Sequence, residues 1–131
     1  MKADNKALLL QLLKQHKELG ISNQIDYDKF YLYSIITHST AIEGSTVTEV
    51  EAQLLFDEGI TAKGKPMVEQ LMNLDLKNAY EYGREWIKNH EDITIDTLIL
   101  LASKVMARTG SEYNSLGGHF DASKGELRKL N

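Results

Sequence analysis

The residues best placed to do chemistry lie in one short stretch, Ser39-Thr40-Ala41-Ile42-Glu43-Gly44. On a helix, Ser39 and Glu43 fall one turn apart on the same face. Gly44 is a stop signal, so Glu43 stands at or beside the last helical residue. A carboxylate there opposes the negative end of the helix dipole, at a cost of a few tenths of a kcal/mol, unless a cation answers it. Such a glutamate is a candidate for binding an arginine elsewhere. The plain alternative, a surface glutamate before a cap glycine, is the reading the pattern alone favours.

The rest of the chain offers less. It contains neither G-x-x-x-x-G-K-S/T nor G-x-G-x-x-G. Gly64-Lys65 is followed by Pro66, and this loop could bind an anion or simply start a helix. The four histidines, His16, His38, His90 and His119, are scattered, without H-E-x-x-H, so no metal site is expected. His16 and His38 read as partly buried packing residues and His90 as a cation at a helix C-terminus. Glu49, Glu51, Asp57 and Glu58 read as a solvated face, with nothing to separate an acid from a base. Tyr27, Phe30, Tyr31 and Tyr33 could stack on nucleobases, but their helical spacing favours a core role. The chain has no cysteine, which excludes disulfides, thiol nucleophiles and zinc–thiolate sites.

Glycines punctuate helical patterns that must position these residues. Asp4 can cap a first helix carrying Leu9, Leu12, Leu13, His16 and Leu19 and ending at Gly20. A second begins near Asp26 or Asp28, carries Phe30, Tyr33, Ile36, Thr37 and Thr40, and stops at Gly44. Thr48 and Glu51 form a capping box for a third helix ending at Gly59, with Val47 stapled on Ala52. Pro66 in the first turn opens the longest helix, with Val68, Leu71, Met72, Asp75, Ala79, Tyr82 and Trp86 on one broad face. Thr94 caps a fifth through Ile95, Leu98, Ile99, Ala102, Val105 and Met106. Beyond Ser111, Gly117, Gly118 and Gly125 break any helix, and residues 127–130 read as a lone short strand that needs a partner.

Composition fits this reading. The chain has 131 residues and a mass of 14.8 kDa, enough for one domain or part of a larger one. A net charge of −4 argues against a DNA-binding module. With 42% apolar and 26% charged residues, the chain is neither disordered nor built of membrane spans. A single proline fits a mostly helical protein. The apolar run from Ala7 to Leu13 is too short to span a membrane and lacks a cleavage site, so a cytoplasmic location is expected.

The wider window from His38 to Glu51 resembles the N-terminal part of Fic-domain (Fic/DOC) proteins. In that family S/T-x-x-x-E-G/N is the inhibitory motif, followed by a short polar link, an apolar residue and a Thr-capped helix. Gly64-Lys65-Pro66 through Asn73, Ala79 and Tyr80 is similar to the long helix opening the Fic core, and Thr94 to Met106 to the next. Gly125-Glu126-Leu127-Arg128 is similar to the G-x-x-R of the family's target-docking flap. The resemblance implies an all-α fold: about five helices in an orthogonal bundle, a partial Fic fold, with a Gly-rich tail and at most one short flap strand. It divides the chain into an N-terminal helix (1–25), the inhibitory and following helices (26–63) and the front of the core (64–131). Ser39, Glu43 and Gly44 would be inhibitory; Gly125, Leu127 and Arg128 would dock the target.

Fic enzymes carry H-P-F-x-x-G-N-G-R-x-x-R, and here no histidine precedes a proline. The resemblance therefore implies the front portion of such a protein, with no catalytic residue, metal or cofactor of its own. The complete family protein would use ATP and Mg²⁺ to place AMP on a Ser, Thr or Tyr hydroxyl of a target protein. Glu43 would hold the motif's second arginine away from the ATP γ-phosphate, with Ser39 in support. The partners implied are the remainder of the catalytic domain, in cis or in trans, the target protein and a second copy of the chain, with no DNA and no membrane. The alternative is a stand-alone helical, antitoxin-like inhibitor without enzymatic activity.

Overall fold

The structure, a computed structural model, describes residues 2–126. Its elements are α1 (Lys2–Glu18), a 3-10 turn (Ile21–Asn23), α2 (Tyr27–Ile42), α3 (Glu49–Glu58), α4 (Met67–Lys88), α5 (Ile95–Val105), β1 (Glu112–Ser115), β2 (Gly118–Asp121) and a second 3-10 turn (Ala122–Lys124). The fold is all-α, with five helices and one small hairpin among the described residues. The chain divides into two compact units, Met1–Leu32 and Tyr33–Asn131, and the division falls inside α2.

In the first unit α1 ends where Gly20 takes the left-handed conformation, φ 64°. Asp4 lies within the first turn of α1 rather than at its cap. Asp26 caps α2 by accepting the Lys29 N–H at 3.0 Å. The Tyr27 and Tyr31 rings stack at 6.2 Å, and Phe30 meets Tyr31 edge-on.

In the second unit the capping boxes form. Thr48 accepts the Glu51 N–H while the Glu51 carboxylate accepts the Thr48 N–H, and Val47 and Ala52 are both buried at that start. On α5 the box is Thr94 with Thr97, whose hydroxyl does the work of the usual glutamate. Pro66 stands at the N-cap of α4, one position earlier than a first-turn residue. The core gathers Ile36, Val47, Ala52, Leu55, Ala79 and Trp86. Trp86 buries its ring, yet its Nε1–H has no acceptor among the described residues, a cost of about 1–3 kcal/mol.

The tail holds two strands where the sequence suggests at most one. β1 and β2 pair antiparallel, with Tyr113 opposite Phe120 and their rings stacked at 5.2 Å. Gly117 and Gly118, read from sequence as helix breakers, are at the turn of this hairpin, and Gly118 has φ 122°. The strand expected at 127–130 lies outside the described residues. Asp121 then caps the last 3-10 turn through the Ser123 N–H and hydroxyl.

Two glycines let this tail lie against α5 and the turn after it. A Cβ on Gly125 would stand 2.0 Å from the Ile99 carbonyl oxygen, and one on Gly110 would stand 2.6 Å from the Ser123 nitrogen. Gly125 also needs its positive φ of 72°. Gly125→Ala is expected to loosen the tail locally, by about 1–3 kcal/mol. Amide exchange of residues 112–126 should accelerate while α4 and α5 keep their protection. Unchanged exchange in the tail would show that α5 yields instead.

Candidate functional site

The site is built on the last turn of α2. Beyond Ile42 the Ser45 N–H bonds the Thr40 carbonyl at 3.0 Å and the Gly44 N–H bonds the Ala41 carbonyl at 3.0 Å. Gly44 has φ 97°. These are the two bonds of a Schellman motif, which makes Glu43 the C-cap and Gly44 the left-handed residue after it. The backbone under Glu43 is therefore held by hydrogen bonds on both sides.

One buried side chain fixes that helix end on α4. Asn73 is 0% exposed. Its Oδ1 accepts the Thr40 hydroxyl at 3.0 Å, while its Nδ2 donates to the Glu69 carbonyl at 2.8 Å and to Ser45 Oγ at 3.3 Å. Thr40 and Ser45 are buried as well. In a low-dielectric interior, deleting one member of such a network leaves the others unpaired, which makes it costly to break.

Glu43 and Ser39 face a groove of about 480 Å³ between α2, α4 and the end of α5. Ser39, Thr40, Glu43 and Thr109 supply its polar edge, and Val68, Met72, Leu76, Val105 and Met106 its apolar floor. Glu43 is exposed and Ser39 half-buried. Neither side chain has a hydrogen-bond or ion-pair partner among the described residues, and they do not bond each other. An unpaired carboxylate on the rim of an apolar groove suits a cation whose stem is apolar and whose head is a hydrogen-bond donor, as in arginine. No histidine lines the groove. His38 is exposed rather than part-buried, with Nδ1 2.7 Å from the Ser34 carbonyl oxygen and 3.4 Å from a Glu49 carboxylate oxygen.

The structure brings Ser39, Glu43 and Gly44 together at one helix end. Gly125 sits apart from them, packed on Ile99 and Ser103 of α5. Leu127 and Arg128 lie outside the described residues. Lys65 reaches the Thr46 carbonyl at 2.7 Å and lies 3.9 Å from a Glu51 carboxylate oxygen, so its ammonium ties loops together. Among the described residues no three His, Asp or Glu side chains gather to hold a metal ion. No helix among them is long and apolar enough to cross a membrane.

Sequence reasoning misses Asn73 and Asp75 as anchors. Asp75 is 1% exposed and accepts both the Arg108 backbone N–H at 2.8 Å and its Nε–H at 2.6 Å. The signal is present in the pattern: a polar residue, Asp75, within the apolar face of the longest helix.

The link from α2 to α3 depends on two carboxylates. Glu69 accepts the Thr46 N–H and hydroxyl, each at 2.8 Å, and Glu51 accepts the Thr48 N–H at 2.9 Å. These backbone N–H bonds, foremost among the causes, hold both carboxyls below the ordinary glutamate value of 4.5. A depressed carboxyl contributes stability above its unfolded value and loses it as pH falls through the folded one. Thermal melts should therefore show the midpoint dropping as pH falls below about 4.5. Glu69→Gln should lower the midpoint at neutral pH and make the acid drop shallower. An identical acid profile would remove Glu69 from this role.

No family model, no curated protein and no solved structure matches this chain.

Proposed function

We propose that this chain is the autoinhibitory front part of a Fic-type protein adenylyltransferase, and that Glu43 is the inhibitory residue. The observation that carries this reading is a carboxylate without a partner among the described residues, at a helix end clamped by the Schellman bonds and Asn73, on the rim of an apolar groove. The groove suits a covering element that brings an arginine to Glu43. A bidentate guanidinium–carboxylate pair is directional and charge-assisted, which fits on/off control. With that arginine held, the γ-phosphate of ATP loses its ligand and AMP transfer to a target hydroxyl stops. Ser39, one turn back on the same edge, would hydrogen-bond within the pair.

The base and the phosphate loop are not among these 131 residues. In this reading the remainder of the catalytic domain supplies them in cis or in trans, with ATP and Mg²⁺ as the family's cofactors. The apolar floor of the groove is the surface that domain, or a second copy of the chain, would cover. Gly125, with Leu127 and Arg128 beyond the described residues, belongs in this reading to the approach to the target-docking flap. The setting is cytoplasmic, where ATP is abundant.

The chain alone should transfer no AMP, because general base and phosphate positioning both have to come from elsewhere. Incubation with labelled ATP and lysate should leave every protein unlabelled, and labelling that follows the purified chain would overturn this. Glu43→Gly should change the stability of the chain by about 0.5–1 kcal/mol at most, since the residue is exposed and has no partner among the described residues. In a complete protein joined to the catalytic motif it should raise adenylyl transfer roughly ten- to hundredfold, the value of about 1.5–3 kcal/mol for a charge-assisted hydrogen bond. Ser39→Ala should act in the same direction but less. Unchanged activity of Glu43→Gly alongside intact ATP binding would make Glu43 a surface residue before a cap glycine.

A further inference from the structure

A second pocket, of about 340 Å³, lies where α4 meets the end of α5, lined by Asp75, Asn78, Lys104, Ala107 and Arg108. Asp75, buried, gives both carboxylate oxygens to Arg108, one to the backbone N–H and one to Nε–H. The guanidinium is thus held by its inner edge. Its terminal Nη groups have no acceptor among the described residues, and 43% of the side chain is exposed. Lys104 stands one helical turn earlier, its ammonium 4.4 Å from the Tyr82 ring centre and without a carboxylate partner among the described residues. Two cations one turn apart repel, and Asp75, the carboxylate lining the pocket, is already taken up by one of them. The carboxamide of Asn78 on α4 adds an exposed donor at the same place.

We infer that this pocket binds a phosphate-sized tetrahedral oxyanion, through the Arg108 Nη groups, the Lys104 ammonium and the Asn78 amide. An arginine immobilised by a buried aspartate has lost its rotamer freedom before the ligand arrives, and its open edge presents parallel N–H donors. A tetrahedral anion can meet that edge with two oxygens and turn a third to Lys104. The ligand is free phosphate or the terminal group of a phosphomonoester, which share this chemistry. The site uses none of the Glu43 groove and does not rest on the function proposed for it.

The test is a titration of the 131-residue protein followed by ¹H–¹⁵N NMR. Three arms compare inorganic phosphate, O-phosphoserine and sodium chloride at matched ionic strength. Phosphate should shift the Ala107 and Arg108 amides and the Arg108 Nε–H saturably, and chloride should not. Lys104→Gln should weaken binding about tenfold, the value of one charge-assisted contact, while Lys104→Arg retains it. Asn78→Ala, at an exposed position, provides a second variant should Lys104→Gln lose its dispersed spectrum, and should weaken binding less. Saturation by phosphoserine as well as phosphate assigns the site to monoesters, and saturation by phosphate alone to the free anion. Equal shifts with chloride, or full affinity in Lys104→Gln and Asn78→Ala, would overturn the assignment.

Discussion

The end of α2 is tied to α4 by the carboxamide of one fully buried asparagine. Asn73 accepts from Thr40, donates to Ser45, and spends its other donor on the carbonyl of its own helix at Glu69. Thr40 and Ser45 are also the residues joined by the outer Schellman bond. The side-chain network and the backbone turn therefore share two members, and neither shifts without the other. Glu43 lies between them, its backbone fixed and its carboxylate exposed. An apolar contact in place of Asn73 would hold the helices at a distance but not in register, because dispersion has no direction.

α4 carries a second anchor two residues on. Asp75 holds the chain just past α5 as Asn73, through Ser45, holds the chain just past α2. Both helix ends that edge the groove are thus pinned by buried polar side chains of one helix, while the floor between them is apolar. The buried core residues are mostly small or medium, Trp86 apart. Directional bonds therefore set the groove's walls. Trp86 is the counter-example, since it contributes area but its indole N–H finds no acceptor among the described residues.

Helix starts and stops are the most legible part of the sequence because they are local. Thr48 with Glu51, Thr94, Gly44 and Gly59 each act where their residue types suggest, since a cap needs only neighbours within one turn. The serine–glutamate pair is legible for the same reason. The partners of Asn73 and Asp75 are not, because a hydrogen bond 33 residues away in the chain leaves no periodic trace. The hairpin is hidden by Gly117 and Gly118, which signal a break but not the strands on either side of it. Tyr113 and Phe120 stack only once that turn has formed. His38 shows the reverse error, since its place in an apolar window suggests burial whereas its ring lies outside, against Glu49.

Gly44 has a positive φ, yet a Cβ added there meets nothing within 4 Å. The restriction on this position is thus one of backbone angle and not of space. Asparagine is the side chain-bearing residue that visits left-handed conformations most readily. Asparagine is therefore the substitution this turn would accept most readily. The glycine records how the helix stops, and helices of unrelated purpose share it. What sets this helix end apart is Glu43, a residue the end itself disfavours.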